Sequence, residues 1–264
     1  MASSGIEATN GVAGYYMDGT KKRYFDAKGL EPQQVFLKGM MGALMMDQIC
    51  NHYLGFSKLD AGTIRENNTK KVVEAGKIYT TMEHSWDEAY GYIFGADNAT
   101  ATPAVYKYWS SYINQVNADA DFNKTKENIE LAFRKGRAAI VANDYVTRDA
   151  QIAIIRTELA KVSAVRAVFY LIEGKAKLTT DGGKKAFHAL SEGYGFIMAL
   201  RFSNNNGTNA PYFTKEEVNQ ILADLTAGTN GLYDVDYLNT KLEVLADKIA
   251  QKFGFTVAQA SVVN

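Results

Sequence analysis

The sequence predicts an all-α fold in which two related helical bundles arise from an internal duplication. Apolar residues recur at three- and four-residue spacing along most of the chain, which is the periodicity of an amphipathic helix. Two sequence blocks also occur twice in the same order. FLKGMMGALMMD is repeated as FRKGRAAIVAND, and HSWDEAYGYI is repeated as HALSEGYGFI. Two ordered repeats predict a duplicated helical unit that covers residues 31–94 and again residues 127–200.

The composition is that of a globular protein without an electrostatic preference for nucleic acid. The 264 residues are 47% hydrophobic and include 29 basic and 29 acidic residues. A nucleic-acid interface needs an excess of positive charge, so we expect no nucleic-acid partner. No apolar run approaches the roughly 20 residues of a transmembrane helix, and the first residues lack the pattern of a secretory signal. A single cysteine, Cys50, excludes an intrachain disulfide.

Helix signals in the first part of the chain predict three helices and few or no strands. The first is expected over residues 7–27. The second begins at Pro32, because proline suits the first turn of a helix, and it continues to Gly55. The third covers residues 69–94 and ends before the turn-rich GADNATATP. Together these helices form the first predicted domain, residues 1–100.

Residues 101–264 predict a linking helix, the second repeat and C-terminal helices. The Thr-Pro pair at residues 102–103 is an N-cap and first-turn pair for the linking helix. Further patterns predict a helix through ENIELAFRKGRAAIVANDYV, a long helix ending at Gly174, and a helix carrying AFHALSEGYGFIMALRF. The polar SNNNGTNAP predicts an exposed loop. Thr214 opens a capping box, and the last long helix ends before Gly254.

Each copy of the second repeated block places a histidine and a glutamate four residues apart. On a helix, His84 and Glu88 share one face, and His188 and Glu192 share the equivalent face of the second copy. Glycines continue each stripe and let a ligand or another backbone come close. Imidazole and carboxylate groups are common metal ligands in helical bundles. The pattern therefore predicts a metal site at His188 and Glu192 and a ligand-binding site at His84 and Glu88.

The same pattern is also typical of a structural role. A buried histidine bonded to a glutamate one turn away is most often a polar pair of a helical core, and glycines often mark close helix crossings. Trp86 and Trp109 are expected in the core. Arg148 beside Asp149 predicts an internal ion pair. The common hydrolase and nucleotide-binding motifs do not occur, so no catalytic residue is predicted.

Several stretches resemble a family of Bacteroidota envelope proteins of unknown function that is distantly imelysin-like. They are KGMMGALMMDQICNHYL, MEHSWDEAYGYIFG, GRAAIVANDYVTRDAQ, AFHALSEGYGFIMALRF and NGLYD. The resemblance covers about residues 13–257, and it implies two helical bundles and an association with iron acquisition. Imelysin-like proteins have been classed as metallopeptidases with a G-x-H-x-x-E motif. This chain has H-x-x-x-E instead, so the resemblance makes His188 and Glu192 the corresponding polar positions without implying a peptidase.

Three functional hypotheses follow from the sequence. The first is an extracytoplasmic, non-enzymatic protein of the periplasm, the outer membrane surface or the medium, which binds a small ligand or a metal ion. The resemblance makes iron or another divalent metal the expected ion, and family members usually carry a signal that this chain lacks. The second is a structural or interaction protein of the cell envelope that forms homo-oligomers or binds an envelope partner. The third is a metallopeptidase, which the altered motif spacing disfavours.

Overall fold

A computed structural model describes residues 5–95, 107–205 and 210–262, and most of these residues are helical. This confirms the predicted helical class. The sheet content of the described ranges is one two-stranded hairpin and a few isolated bridges. The predicted Thr-Pro helix start at residues 102–103 and the predicted domain boundary at residue 100 lie outside the described residues.

The predicted helix over residues 7–27 is wrong, because this segment contains an antiparallel β-hairpin. Its strands are β1, Gly14–Asp18, and β2, Lys21–Phe25. The turn between them contains Gly19, whose φ is 60°. Asp18 pairs with Lys21, so the two turn residues are Gly19 and Thr20, and glycine is favoured at the first of them because its φ is positive. The tyrosines and phenylalanine of GYYMDGTKKRYF favour strands. A strong local hairpin signal therefore outweighs the weak helical periodicity of this segment.

The predicted helix from Pro32 to Gly55 is confirmed in its extent, but its second part is π-helical. Three consecutive segments form it: α1, Pro32–Met40, and the π-helical segments Met41–Met46 and Gln48–Tyr53. The buried guanidinium of Arg156 donates to the carbonyl oxygens of Cys50 at 3.0 Å and Leu54 at 3.4 Å. It therefore satisfies carbonyl groups that a helix end leaves without an internal partner.

The predicted helix over residues 69–94 is wrong in its first half. Within this segment only Thr69, the last residue of α3, Ile64–Thr69, and α4, Thr81–Phe94, are helical. The short helix α2, Phe56–Leu59, precedes α3. A loop separates α3 from α4, and Gly76 in this loop has a φ of 72°. Thr80 then caps α4, because its hydroxyl accepts from the Glu83 amide while the Glu83 carboxylate accepts from the Thr80 amide. This capping box fixes where the motif-bearing helix begins.

The remaining helices follow the predicted order closely. They are α5, Trp109–Ala118; α6, Thr125–Ala142; α7, Tyr145–Ala176; α8, Lys184–Ala199; α9, Lys215–Leu225; α10, Val235–Phe253; and α11, Val257–Ser261. The capping box at Thr214 is confirmed, and Gly254 ends α10 in the left-handed conformation. Trp86 and Trp109 are fully buried, as predicted.

The described residues form two compact units. One unit comprises residues 5–42, 163–201 and 212–262, and the other comprises residues 43–95, 107–162, 202–205 and 210–211. In the first unit α1 packs along α8, and α8 also contacts α9. In the second unit α4 packs against α6 and against the second π-helical segment.

Glycines of the repeated blocks allow the closest helix contacts in each unit. In the first unit a Cβ atom added at Gly195 of α8 would overlap the Lys38 side chain and come within 2.9 Å of the Gly39 amide. In the second unit a Cβ atom added at Gly136 of α6 would overlap the Trp86 ring of α4. In both units, a helix with the Lys-Gly block therefore packs on a helix with the His-Glu block.

Along the described part of the chain, we find no helix with the length and apolar character required to cross a membrane.

Candidate functional site

The His84–Glu88 pair lies on the open surface of α4. The His84 Nε2 atom lies 3.5 Å from a Glu88 carboxylate oxygen, and the two side chains are 41% and 43% exposed. The Tyr79 ring, which precedes the capping residue Thr80, stacks on the imidazole with a centroid distance of 5.0 Å. The helical spacing predicted from the sequence therefore produces the predicted pair, and solvent reaches both members.

A cleft of about 520 Å³ runs beside this pair on the same helix. Its described lining residues are Asp87, Glu88, Gly91, Tyr92 and Gly95. A Cβ atom added at Gly91 would meet no atom within 4 Å, so the missing side chain leaves open space. The predicted stripe of glutamate and glycines thus lines a concave surface. His84 lies one turn away and is not among the lining residues.

Carboxylates outnumber fixed positive charges around the α4 cleft. Arg137 of α6 bridges Asp87 at 3.0 Å and Glu83 at 3.2 Å, while Glu88 pairs with the imidazole of His84. Burial raises the pKa of Asp87 and outweighs the opposing effect of Arg137. Because Arg137 is shared between Asp87 and Glu83, the two carboxylates that line the cleft, Asp87 and Glu88, give it net negative charge when they are ionised.

The cleft residue Tyr92 contacts Tyr53 of the second π-helical segment. The Tyr53 ring lies 5.6 Å from the Tyr92 ring, centroid to centroid. Burial raises the pKa of Tyr53, and the nearby Tyr92 and Glu88 raise it further. The cleft therefore combines carboxylates with an aromatic ring.

The His188–Glu192 pair of α8 lies in a charged cluster in the first unit. The imidazole Nδ1 atom lies 2.6 Å from a carboxylate oxygen of Glu31, which is 1% exposed. Arg23 of β2 lies beside both groups, 3.4 Å from Glu31 and 3.1 Å from Nδ1. A carboxylate oxygen only accepts hydrogen bonds, so this short contact indicates the tautomer in which Nδ1 carries a hydrogen and donates a hydrogen bond to Glu31.

Further ion pairs enclose the remaining members of this cluster. Lys38 of α1 lies 3.1 Å from Glu192, and the other Glu192 oxygen lies 3.9 Å from His188 Nε2. The Arg23 guanidinium donates to Asp18 at 2.8 Å and holds the pKa of that carboxyl below its usual range. The Ser191 hydroxyl accepts from the Glu31 amide at 2.8 Å. Each acid of the cluster is therefore already engaged by a neighbouring donor.

The metal-ligand chemistry of the described residues is limited. Residues 5–95, 107–205 and 210–262 contain no group of three or more His, Cys, Asp or Glu side chains arranged to hold a metal ion. Cys50 is buried, and burial raises the pKa of its thiol to about 12, so the thiol is unreactive near neutral pH. The predicted assignment of a metal to His188 and Glu192 stays a prediction.

Helical periodicity does not indicate the partners that surround the α8 pair. Arg23 lies in a strand, Glu31 at a helix start and Lys38 in a helix, and all three are distant in sequence from α8. One signal was available: Lys38 belongs to the Lys-Gly of the first repeated block. In the second unit, the predicted Arg148–Asp149 ion pair is confirmed at 2.7 Å, and Asp60 adds two contacts of 2.9 Å.

The fold and the two pairs define a mostly α-helical protein with one enclosed charged cluster and one open acidic cleft. The chain belongs to the family described as domain of unknown function DUF4856, which matches residues 1–256. No curated protein and no solved structure matches the chain.

Proposed function

We propose that this protein is a non-enzymatic binding protein that takes a small cationic ligand in the α4 cleft. The observation that carries the proposal is the cleft lining, in which two carboxylates and a tyrosine stand beside two glycines. Carboxylates attract a cation, the tyrosine ring stabilises it through its π face, and glycines let the ligand approach the backbone. Glu88 is the main anionic group and His84 its orienting neighbour.

The cation chemistry fits two sources, a divalent metal ion and an organic ammonium ion. A metal ion would use the Glu88 carboxylate and the His84 imidazole, which are metal ligands in many helical proteins. An ammonium ion would use the carboxylates and the Tyr92 ring.

Isothermal titration calorimetry tests this proposal with ferrous, zinc and tetramethylammonium ions in separate experiments. We expect one cation class to bind the wild-type protein and the Glu88→Gln variant to bind it at least tenfold more weakly. Glu127→Gln is the matched control, because Glu127 is an exposed glutamate in a helical ion pair with Lys124. Absence of binding by all three ions, or equal affinity in wild type and Glu88→Gln, would overturn the proposal.

For His188 and Glu192 we propose a structural role, as a polar pair that stabilises the packing of α8, instead of metal binding. The support is that Glu31 already contacts His188, Lys38 already contacts Glu192, and Arg23 pairs with Glu31. A structural or interaction function for the whole protein is the second candidate, and the satisfied cluster is the observation in its favour. Light scattering of the purified protein would test whether it assembles into oligomers.

From the imelysin-like resemblance we further propose that the protein is extracytoplasmic and arose by internal duplication. If its ligand is a metal ion, we propose that it takes part in iron uptake. The similar packing of Lys-Gly helices on His-Glu helices in both units supports the duplication. Superposition of α1 with α8 onto α6 with α4 in an experimental structure would test the duplication, and fractionation of the producing cells would test the location.

A further inference from the structure

The loop between α3 and α4, residues 70–79, exposes an unusual number of apolar side chains. Ile78 is 96% exposed, Val72 is 50% exposed and Val73 is 48% exposed. Val141 of α6, whose carbonyl accepts from Lys71 in the loop, is 49% exposed. Three apolar residues within seven positions of one loop expose an apolar tip, in contrast to single apolar residues scattered over a surface.

The loop is held in place at both ends, so this exposure belongs to a defined conformation. The Thr80 hydroxyl donates to the Asn68 side chain at 2.6 Å, which ties the last turn of α3 to the residue that follows the loop. The Asn68 amide group donates in turn to the Ile140 carbonyl oxygen and the Tyr145 hydroxyl at 2.9 and 3.1 Å. Compact loops with joined ends are frequently functional.

Hydrogen bonds within the loop complete its scaffold. The Val72 amide donates to the Asn67 carbonyl oxygen at 2.9 Å, and the Glu74 amide donates to the Tyr79 carbonyl oxygen at 3.0 Å. Lys71 donates to the Asn143 side chain at 3.2 Å. The backbone therefore directs the valines and Ile78 outward.

Basic residues flank the apolar side chains. The loop carries Lys70, Lys71 and Lys77 against one acid, Glu74, which gives it a net charge of +2. Lys70 pairs with Glu66, but this exposed pair is weak and leaves the lysine available. An apolar tip between lysines is the pattern by which proteins attach to the surface of an anionic membrane.

We propose that the loop at residues 70–79 inserts Ile78, Val72 and Val73 into the interface of an anionic lipid surface while Lys70 and Lys77 contact the headgroups. A side chain as exposed as Ile78 has almost no protein neighbours. A protein partner would need a pocket of matching shape to bury it. A fluid lipid interface closes around a projecting side chain without one. The charge of the loop selects anionic headgroups.

Co-sedimentation of the full chain with phosphatidylcholine vesicles, with and without phosphatidylglycerol, tests this proposal. We expect binding to the anionic vesicles only, and weaker binding as the salt concentration rises. Ile78→Asp should lower the partition coefficient about tenfold, because a charge replaces the inserted side chain. Combined Lys70→Glu and Lys77→Glu should lower it at least about fivefold.

Matched controls separate this loop from general adsorption. Val244→Asp replaces a valine on α10 that is 62% exposed, and combined Lys241→Glu and Lys248→Glu makes the same charge change on that helix. Both controls should bind like the wild type. Ile78→Asp should keep the wild-type circular dichroism spectrum and Tm, because the side chain makes almost no packing contacts.

Four results would overturn the proposal. They are absence of binding to anionic vesicles at low salt, equal binding of Ile78→Asp and wild type, equal binding of the lysine variant and wild type, and an equal loss in the α10 controls. Binding to a purified acidic protein but not to vesicles would likewise replace the lipid by a protein partner.

Discussion

The two copies of the H-x-x-x-E-x-Y-G block form the same local structure in different surroundings. In α4 and in α8 the histidine and glutamate lie four residues apart, with ring nitrogen to carboxylate distances of 3.5 and 3.9 Å. The α4 pair is open to solvent beside a cleft, whereas the α8 pair is enclosed by groups from β2 and α1. A repeated motif therefore fixes the spacing of its side chains, and distant residues determine what those side chains are able to bind.

The largest expected difference in the free energy of unfolding is between substitution of Glu31, beside the α8 pair, and substitution of Glu88 in the α4 pair. Glu31→Ala removes a carboxylate that is 1% exposed and leaves Arg23 and His188 without their shared partner. We expect a loss of about 3 kcal/mol in the free energy of unfolding, measured with urea. Glu88→Ala on the exposed α4 pair is the control and should change it by less than about 0.5 kcal/mol. Equal effects would show that the two pairs do not differ in enclosure.

The glycines at equivalent motif positions give the next largest effect. Gly195→Ala places a methyl group against Lys38 and Gly39 and should destabilise the protein by about 2 kcal/mol. Gly91→Ala places the methyl group in open space and should stabilise α4 by about 0.5 kcal/mol or more, since alanine is the better helix former. Urea unfolding of both variants measures the difference. Destabilisation by Gly91→Ala would contradict an open cleft at this position.

The smallest expected effect is a pH dependence of cation binding in the α4 cleft. Because burial raises the pKa of Asp87 above the ordinary value of 3.8, this group is protonated further up the acid range. A bound cation favours the carboxylate, so the affinity should rise with pH as Asp87 loses its proton. Titration calorimetry across the acid range measures this, and Asp87→Asn should show a flatter profile. An affinity that falls with rising pH would contradict the assignment.

Much of the fold follows from local sequence patterns. The proline at the start of α1, the capping box at Thr214 and the glycine stop at Gly254 each act within one helical turn, so they are visible in the sequence. The hairpin at Gly14–Asp18 and Lys21–Phe25 also has local signals, namely the turn glycine Gly19 and the strand-forming aromatic residues. These signals outweigh the helical periodicity of the same segment.

The site was less predictable because its character depends on contacts between distant residues. The sequence predicted both His-Glu pairs, and both form. The Glu31–His188 contact joins residues 157 positions apart, and no periodic pattern indicates such a pairing. The Asn68–Thr80 hydrogen bond that holds the exposed loop is incompatible with the single helix predicted over residues 69–94, so that prediction excluded it.

The central claim is that the α4 pair is available to a ligand while the α8 pair stabilises the fold. Thermal unfolding of Glu88→Gln and His188→Ala, with and without the cation that binds the wild type, tests it most directly. We predict that His188→Ala lowers Tm by several degrees and keeps the cation-induced rise, whereas Glu88→Gln keeps the wild-type Tm and loses most of that rise. A large loss of Tm in Glu88→Gln together with a loss of the cation response in His188→Ala would contradict the claim.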